Sequence, residues 1–518
     1  MSAKLSGMLG RRYDLSHERR LLAVDEDELL EGFRRRPGRQ AWIGEHVGKW
    51  LHAASLVFTQ TGDARLAEKI ARVRDGLLAT QEKDGYLGTY APGKRFGLYD
   101  GADWDVWVHK YVLIGLLAEH AAFGTRASLD AAVRIGGLLH RTFVVEKKDI
   151  NLAGQHHGMA ATSVLEPVML LHRASGEHRF LALACAILDR MSMANGSDLL
   201  RRADDFASVD TIANGKAYEM LSNALGFCEF YRTEGTSACL RAAEWIWEDV
   251  EMTRLYPTGG ASAHERFQPD RVFPTRPEDE ICETCVTVTW IQLCARLFDL
   301  TWKRQYAKEI ERAAFNHLLG AQRPDGAAWC YYTPLEGVKR YRTDVNCCLS
   351  SGPRGLAVLP EAAVYANEHW IYANLLAFSE ARVRVGETDV RLTLDGDYPA
   401  SGRLAITLHL DRPAEFQMAI LVPAGSKPKR LVLPCGKPMI APAGDHARMR
   451  RKWFPGDVVS LDLELDETPI DGGRYGREGE VARRRGPLVL ATEEGRDEPV
   501  PFAEAGASGA AFRTWVRE

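Results

Sequence analysis

Two adjacent cysteines, Cys347 and Cys348, stand in the turn-like stretch TDVNCCLSSGPRGL. The 518-residue chain has only ten cysteines, so the pair calls for a chemical explanation. Neighbouring side chains of a regular strand point to opposite faces, whereas a turn can direct both towards one atom. Ser, Gly and Pro follow the pair, and these residues favour turns. Two thiolates held in this way could bind one metal ion.

A second group of candidate ligands lies upstream, where the segment ICETCVTVTW contains Glu283 and Cys285. Zinc in proteins takes thiolate, imidazole and carboxylate ligands, four of them in most structural sites. Thiolates favour zinc over magnesium or calcium. Glu283 and Cys285, together with Cys347 and Cys348, would supply one carboxylate and three thiolates. These four residues would form one Zn²⁺ site if the fold brings the two distant segments together; otherwise they are ordinary buried thiols.

The cysteines also admit other interpretations. Cys282 and Cys285 have the spacing of a Cys-x-x-Cys redox motif, but the surrounding sequence lacks the βαβ pattern that such a motif requires. An isolated cysteine most often acts as a small buried apolar residue. We expect that role for Cys185, Cys228, Cys239, Cys294, Cys330 and Cys435.

The composition is that of an ordinary globular chain. Hydrophobic residues make up 46% and charged residues 26% of the sequence, and the formal net charge is −4. This weak charge predicts no nucleic-acid partner. No apolar run has the length of a signal peptide or of a membrane span, so we expect a cytoplasmic protein with reduced thiols. The chain length predicts at least two domains.

Helical repeats surround these segments. The apolar residues of ARLAEKIARVRDGLLATQ recur mostly at spacings of three and four, which indicates an amphipathic helix. A helix that ends at a glycine then recurs about every 50–60 residues. Five or six stacked hairpins of this kind would form an open solenoid or a closed toroid, and long loops rich in Trp, His and Asp favour the toroid. The glycines expected as left-handed helix caps are Gly62, Gly124, Gly176 and Gly235.

The pattern changes after about residue 370. Segments such as GRLAITLHLD and DVVSLDLELD alternate apolar and polar residues and are separated by Gly, Pro and Asp. This alternation is typical of an antiparallel β-sandwich. We therefore predict a helical toroid in residues 1–370 and a β-sandwich domain in residues 371–518.

Several segments resemble a known family. TGGASAHERF, ETC and NCCLSSGPR, in this order and ahead of a β-sandwich, resemble the β-L-arabinofuranosidase-like glycoside hydrolases of family 127 and its relative family 146. GEHVGKWLHAA, QEKDGYLGTY and RRGPLVLATEE are similar to further family segments, and the resemblance covers roughly residues 40–495. It implies an (α/α)6 toroid followed by an antiparallel β-sandwich. It also implies a retaining glycosidase that removes a non-reducing terminal sugar, by default β-L-arabinofuranose.

The resemblance also implies roles for individual residues. By position, Cys347 matches a zinc-bound cysteine nucleophile, and the other zinc ligands match Glu283, Cys285 and Cys348. Glu265, in HERF, matches the general acid/base. A retaining glycosidase needs two such groups on opposite faces of the anomeric carbon. The candidate substrate-binding residues, which lie in matching segments, are His109, His156, His157, Tyr332 and Arg354.

Differences from the family pattern keep other functions open. This chain has CCLSSG where well-known members have CCPPN, and it is short after the first sandwich, so the sugar could be a different one. One alternative is a carboxylate-only toroid glycosidase or lyase that uses Glu265 and Asp105. Another is a non-catalytic carbohydrate-binding toroid with a structural zinc. A homodimer is compatible with the sequence.

Overall fold

The helical half of the protein is a double ring of helices. The computed structural model describes residues 2–99 and 103–517, and residues 100–102 of the predicted Trp-rich loop 99–111 lie outside the described residues. The loop prediction is wrong for residues 105–111, which begin an inner helix. Within the described residues, six inner helices each pack against the next, and the last packs against the first. The ring is therefore closed, as a toroid requires. The inner helices are Glu45–Thr61, Asp105–Phe123, Leu165–Ser175, Ala217–Glu234, Thr284–Thr301 and Cys347–Ala357.

Each inner helix has an outer partner. Five outer helices follow their partners directly along the chain: Ala64–Leu78, Arg126–His140, His178–Met191, Ser237–Thr253 and Arg304–Arg312. The sixth outer helix is Gly7–Ser16, which comes from the start of the chain and packs against Cys347–Ala357. Both ends of the helical half therefore meet where the ring closes. The shorter helices are Glu26–Arg34, Met159–Thr162, Leu199–Asp204, Leu319–Ala321 and Leu359–Ala363.

The predicted glycine caps are confirmed. Gly62, Gly124, Gly176 and Gly235 end four successive inner helices, and their φ angles of 63°, 69°, 74° and 69° are left-handed. Glycine adopts this conformation without the clash that a Cβ atom causes. Trp302 ends the next inner helix in the same conformation, with a φ of 58°. The fifth hairpin thus keeps the cap geometry although its sequence lacks the glycine.

The inner and outer helices differ in how much of their surface is buried. The helix Ala64–Leu78 buries one stripe, which includes Leu66, Ile70 and Val73, as its periodicity predicts. The inner helix Asp105–Phe123 is buried around almost its whole circumference. A helix that is apolar on all sides belongs in the interior, so the core of this half lies between and within the rings.

The β-sandwich follows the toroid and consists of two sheets. Ser2–Leu5 lies at the edge of the larger one, so the start of the chain joins both halves. Among the described residues, the sandwich pairs are antiparallel except for 417–420 with 370–373. In spatial order the larger sheet contains Ser2–Leu5, Phe378–Val385, Thr388–Asp395, Arg403–His409, Val458–Glu464, Lys427–Val432 and Pro438–Met439. The smaller sheet contains His446–Trp453, Ala414–Leu421, Trp370–Ala373 and Val364–Ala366.

A third sheet, formed mostly by the last part of the chain, packs on the toroid. The backbone N–H of Val489 donates to Asn316 Oδ1 at 2.7 Å, and Asn316 Nδ2 donates to the carbonyl of Pro487 at 2.8 Å. Its strands are Glu467–Asp471, Glu480–Arg485, Leu488–Glu493, Phe512–Arg513 and Glu336–Gly337, with Val500–Pro501 and Val516–Arg517 alongside. The short strands Trp329–Cys330 and Tyr341–Arg342 form a separate pair. The division of the chain at residue 370 stays a prediction.

Among the described residues, no helix is both long and apolar enough to cross a membrane. The cysteine expectation is confirmed for four residues and wrong for two. Cys228, Cys239, Cys294 and Cys330 are buried, whereas Cys185 and Cys435 are exposed. Cys185 lies on the solvent side of an outer helix, where its neighbours in sequence could not reveal its orientation.

Candidate active site

The four predicted ligands meet at one point. The ligand atoms of Glu283, Cys285, Cys347 and Cys348 all lie within 4.8 Å of one another. Cys285 Sγ is 3.5 Å from Cys348 Sγ, and Glu283 Oε1 is 3.8 Å from the sulfur atoms of Cys347 and Cys348. Cys282 lies in a different apolar cluster, and both it and Cys285 are free thiols. The group is therefore one that could bind a metal ion rather than a Cys-x-x-Cys redox pair.

Two helix N-termini hold this group. Glu283 is the N-cap residue of Thr284–Thr301, and Cys285 lies in the first turn of that helix. Both adjacent cysteines begin the helix Cys347–Ala357, whose N-cap side chain, Asn346, accepts a backbone hydrogen bond at 3.0 Å. A helix N-terminus carries partial positive charge, which favours thiolates and carboxylates. The adjacent cysteines therefore lie in a helical turn, where both sulfur atoms can face the same point.

The chemistry of the group fits a cation. Glu283 Oε2 is buried and has no hydrogen-bond partner among the described residues. Burial, followed by the neighbouring Cys347, raises the pKa of Glu283 well above its ordinary value. A buried carboxylate without a partner is costly, and metal coordination removes that cost. A bound cation would therefore satisfy the atom that the protein leaves unpaired.

The thiols cannot all ionise by themselves. Burial tends to raise the pKa of Cys285, but hydrogen bonds from Cys347 and Cys348 and the charge of Lys49 lower it to about 6. The same hydrogen bond to Cys285 raises the pKa of Cys347, and burial raises that of Cys348. The protein alone thus favours one thiolate shared among three sulfurs. A metal ion is the agent that would hold all three as thiolates.

A cleft of about 370 Å³ opens above this group, at the N-terminal ends of the inner helices. Five of these helices place a cap or first-turn residue on its wall: Glu45, Trp107, Tyr218, Glu283 and Cys347. Cys347 is partly exposed, whereas Cys285 and Cys348 are buried. Cys347 is therefore the thiol that borders the cleft.

Glu265 lies on the wall of the same cleft. It occupies a left-handed turn with a φ of 62°, and its carbonyl accepts from the backbone N–H of Ala217 at 3.0 Å. Its Oε1 accepts from the hydroxyls of Tyr331 at 2.8 Å and Tyr332 at 2.9 Å, and its Oε2 accepts from Lys216 Nζ. The carboxylate is thus held by three donors in one orientation.

These donors set the proton affinity of Glu265. Burial raises its pKa, but the charge of Lys216 and the hydrogen bonds from Lys216, Tyr331 and Tyr332 outweigh burial and keep the pKa below its ordinary value. The tyrosines also connect to the sulfur group, because Tyr332 forms a β-bridge with Glu283. The two candidate catalytic groups are therefore positioned through one local framework.

Two other predicted residues lie near the cleft. Tyr332 contacts Glu265 as described, and His156 Nε2 is 4.0 Å from Glu219, a residue of the cleft wall. His156 also packs edge-on against Trp104, another wall residue. His157 is exposed beside it, with a left-handed φ of 54°.

His109 and Arg354 lie behind the cleft rather than on its wall. His109 is fully buried; its Nδ1 is 2.8 Å from the carbonyl of Asp105, and its Nε2 accepts from the backbone N–H of Leu87 at 3.3 Å. Arg354 is 2% exposed and donates from Nε to His52 Nδ1 at 3.1 Å. Both ring nitrogens of His109 are occupied, so this geometry favours a positioning role over direct sugar contact.

Asp105, the second carboxylate of the alternative mechanism, is also behind the cleft. It is 1% exposed, and its Oδ1 accepts from the hydroxyl of Tyr86 at 2.9 Å. It does not line the cleft. A carboxylate-only mechanism would therefore need another partner for Glu265, such as Glu45 or Glu219 on the cleft wall.

Comparison with known proteins decides the family. Residues 18–361 match the model of the β-L-arabinofuranosidase GH127 catalytic domain, and residues 370–465 match that of the GH127 middle domain. The two matches cover most of the chain. The protein belongs to glycoside hydrolase family 127. It is a glycosidase.

Several known proteins are similar to this chain. A non-reducing end β-L-arabinofuranosidase of Bifidobacterium longum subsp. longum is 23% identical over 513 residues, which cover 86% of this chain and 75% of that protein. A GH127 β-L-arabinofuranosidase structure from Geobacillus stearothermophilus T6 aligns over the whole of both chains, with 18% identity and a TM-score of 0.84. A further GH127 β-arabinofuranosidase structure covers 100% of this chain and 96% of its own, with 20% identity and a TM-score of 0.85.

Sequence reasoning missed several residues that this family 127 glycosidase places on the cleft. No sequence motif identifies Lys216, because its role depends on its contact with Glu265, which is distant in sequence. Trp42 and Trp104 stand in loops and Trp107 in the first turn of a helix, and periodicity could not tell which of these rings face the cleft. The missed wall residues are Trp42, Glu45, Trp104, Trp107, Lys216, Tyr218, Glu219 and Tyr331.

Proposed function

We propose that this family 127 glycosidase is a retaining β-L-arabinofuranosidase that removes a non-reducing terminal sugar. Cys347 is the nucleophile and Glu265 is the general acid/base. Zinc is the metal, with Glu283, Cys285, Cys347 and Cys348 as its ligands. The observation that carries the proposal is that the sulfur–carboxylate group and Glu265 border the same cleft.

Zinc suits the donor set, because three sulfur atoms and one carboxylate favour it over magnesium or calcium. When bound, it would keep the Cys347 sulfur ionised at neutral pH, where a free cysteine is mostly protonated. The two helix N-termini at the group would add to that stabilisation. Of the three thiols, Cys347 alone is more than marginally exposed, so it is the one available to a substrate.

In the first step the Cys347 thiolate attacks the anomeric carbon, and the bond from that carbon to the leaving oxygen breaks. Glu265 donates its proton to that oxygen. In the second step Glu265 removes a proton from water, which attacks the same carbon and releases the Cys347 thiolate. Two inversions give net retention.

Lys216 and the two tyrosines tune Glu265 for both steps. In the free protein they favour its carboxylate, which is the form needed to activate water. The first step needs the protonated form, so the Lys216 charge limits the pH range of that step. Tyr331 and Tyr332 restrict the orientation of the carboxylate, which keeps it directed at the cleft.

The walls of the cleft suit a sugar. Trp42, Trp104 and Trp107 offer aromatic faces or edges, while Glu45 and Glu219 offer acceptors for hydroxyl groups. Its volume of about 370 Å³ is at the small end of ligand pockets. The two GH127 structures and the curated relative carry arabinofuranosidase names, and β-L-arabinofuranose is therefore the proposed sugar.

The test combines metal analysis with hydrolysis of p-nitrophenyl β-L-arabinofuranoside. We expect about one zinc per chain, as one four-ligand site requires. Proton NMR should show the β-anomer as the first product. Cys347→Ser should lower kcat at least about 10³-fold, whereas Cys435→Ser, at an exposed cysteine, should be as active as wild type.

Each competing function predicts a different result. A Cys347→Ser protein with near wild-type activity would contradict the thiolate mechanism and favour a carboxylate-only glycosidase. A zinc-containing protein that binds the glycoside without hydrolysing it would instead indicate a carbohydrate-binding toroid. Release of the α-anomer first would exclude retention.

A further inference from the structure

A cavity of about 480 Å³ lies where the toroid, the β-sandwich and the third sheet meet. It shares no wall residue with the catalytic cleft. The outer helix Arg304–Arg312 forms one side, and the strands Glu467–Asp471 and Glu480–Arg485 form another. Gly425 and Gly486 bring the sandwich and the third sheet together, since a Cβ atom on Gly425 would meet the carbonyl oxygen of Gly486 at 1.7 Å. The walls are therefore held by direct backbone contact.

Arg484 lies on the face of its strand that turns towards this cavity. It pairs with Thr468 on the neighbouring strand, and its Nε donates to Thr468 Oγ1 at 3.2 Å. The adjacent Arg483 and Arg485 are exposed on the other face, where both lie near Glu467. Arg484 is half-buried, and no carboxylate of the described residues lies within ion-pair distance of it. It is thus a partly buried cation that its surroundings do not neutralise.

The other ion pairs of the cavity leave this charge uncompensated. Lys308, which is half-buried on the helical side, likewise has no ion-pair partner within the part of the chain that the structure describes. Arg312 binds Glu309 at 2.6 Å, and Glu251 lies 3.8 Å from Arg312. The carboxylates nearest the helical side are therefore already paired with an arginine.

Two further carboxyl groups of the wall add little negative charge. Asp471 is exposed, and strand alternation directs its side chain to the face opposite that of Arg484. Glu311 is buried, and burial raises its pKa to about 7. Burial and then the charge of Arg312 lower the pKa of Arg484. Cations that lie close together in a partly buried site are stabilised by an anion between them.

The spare charges and the size of the cavity indicate a class of ligand. A phosphate monoester carries about two negative charges at neutral pH. Arg484 and Lys308 match them, because a guanidinium donates to two phosphate oxygens at once and an ammonium adds a point charge. The cavity is larger than a phosphate group, and the rest of its wall includes Ile470, Tyr475 and Val489. This wall suits the organic part of a small ester.

We propose that this cavity binds a small phosphate monoester, with Arg484 and Lys308 at the phosphate group and the apolar wall at the organic part. The inference does not depend on the proposed function, because neither residue borders the catalytic cleft. A ligand at this place would contact three parts of the molecule. It would stabilise the protein, since the cavity exists only in the folded state.

The experiment measures binding to the whole chain by isothermal titration calorimetry in phosphate-free buffer. The probes are glucose 6-phosphate, inorganic phosphate and glucose, of which glucose reports any binding in the catalytic cleft. We expect glucose 6-phosphate to bind more tightly than inorganic phosphate, and glucose to show no comparable binding. Arg484→Met should weaken the binding of glucose 6-phosphate at least about tenfold, the effect of one lost charge-assisted hydrogen bond. Lys308→Met should weaken it as well.

Thermal melting gives a second readout and checks that the variants are folded. Glucose 6-phosphate at about ten times its Kd should raise the melting temperature of the wild type by about 1–3 °C. Without ligand, Arg484→Met should melt no lower than wild type, because it removes an unpaired, partly buried charge. Arg483→Met is the matched control: it changes the adjacent arginine on the other face and should bind and melt as wild type does.

The outcomes decide between the proposal and its alternatives. Weaker binding in Arg484→Met and Lys308→Met, with unchanged binding in Arg483→Met, supports the inference. A wild-type protein that binds neither phosphate compound overturns it. Equal losses in Arg484→Met and Arg483→Met, or no loss in either, would overturn the location. Equal affinities for glucose 6-phosphate and inorganic phosphate would mean that free phosphate is the ligand, and the ester would be wrong.

Discussion

Two buried glutamates, in different regions of the molecule, show how one residue type can take different roles. Glu283 is 2% exposed at the start of an inner helix, and Glu311 belongs to the outer helix Arg304–Arg312. Burial is the largest cause that raises the pKa of each, in Glu311 to about 7. Glu311 accepts a hydrogen bond from the hydroxyl of Tyr398, in the sandwich, at 2.9 Å. Glu283 has three thiols around it and one oxygen without a partner.

The two carboxyl groups differ in the partners of their oxygen atoms. Glu311 accepts a hydrogen bond from a hydroxyl group that joins the toroid to the sandwich, and burial raises its pKa enough for it to stay neutral. The described residues leave one oxygen of Glu283 without a partner. This is expected of a metal ligand, because the metal supplies the missing positive charge. Burial alone therefore does not identify a functional carboxylate, whereas the identity of its neighbours does.

Among the tests of this comparison, removal of the proposed metal should have the largest effect, and it acts on the Glu283 side. Treatment with a zinc chelator should reduce activity by more than about 100-fold, because the thiolates lose the charge that stabilises them. The melting temperature should also fall, and added zinc should restore both. Activity and circular dichroism before and after chelation measure this. A chelated protein that is metal-free by elemental analysis yet fully active would contradict the role of Glu283 as a ligand.

A Glu→Gln substitution at each of the two positions should then lower activity and zinc content by unequal amounts. Glu283→Gln replaces the carboxylate of a proposed zinc ligand with a neutral amide, and we expect activity to fall at least about 100-fold together with zinc content. Glu311→Gln should leave kcat/KM and zinc content within about twofold of wild type. Assays with p-nitrophenyl β-L-arabinofuranoside and metal analysis measure the pair. Equal losses in both variants would mean that the two regions are not functionally distinct.

The pH profile should sharpen the role of Lys216. Its charge lowers the pKa of Glu265, so Lys216→Met should raise that pKa and keep the acid protonated to higher pH. The falling alkaline limb of kcat/KM should therefore move to higher pH. The ratio of kcat/KM at pH 7 to that at pH 5 should rise roughly three- to tenfold, since one pKa unit is tenfold in protonation. Lys216→Arg keeps the charge and should leave the limb in place.

The smallest expected effect concerns stability at the other carboxylate. The folded pKa of Glu311, about 7, exceeds the value of roughly 4.3 in unfolded chains. Between these pH values the folded state binds more protons, so the free energy of unfolding falls as pH rises. Glu311→Gln has no proton to lose and should gain on the order of 2 kcal/mol relative to wild type between pH 5 and pH 8. Urea unfolding at both pH values measures it. If the free energies of unfolding of Glu311→Gln and wild type differ by the same amount at pH 5 and pH 8, the prediction that Glu311 is neutral in the folded protein is wrong.

Much of the local structure could be predicted from the sequence. The four glycine caps follow from a property of single residues, because glycine alone adopts a left-handed conformation without cost. The stripe of Ala64–Leu78 follows from helical periodicity. The residues of the group that could bind a metal could also be predicted, because thiols next to one another or near a glutamate are rare enough to be noticed. Each of these signals is local, because it involves residues only a few positions apart along the chain.

Other features depend on contacts between distant segments. The pairing of Gly7–Ser16 with Cys347–Ala357 closes the ring, and no periodic pattern could reveal it. His109 and Arg354 lie in segments that resemble the family, but their burial behind the cleft follows from packing. Lys216 became recognisable as a partner of Glu265 only through the fold. A long loop has no regular repeat, so its sequence does not show which way each side chain points.

The sequence by itself determined the residue types of the site, the repeat of helical hairpins and the change to strands, since each depends on local chemistry or spacing. The tertiary structure decided that two helix N-termini bring three thiols and a carboxylate within 4.8 Å of one another and that Glu265 borders the same cleft. The physical reason is that a ring of packed helices sets distances between residues far apart in the chain. Such distances depend on the whole core rather than on any one segment.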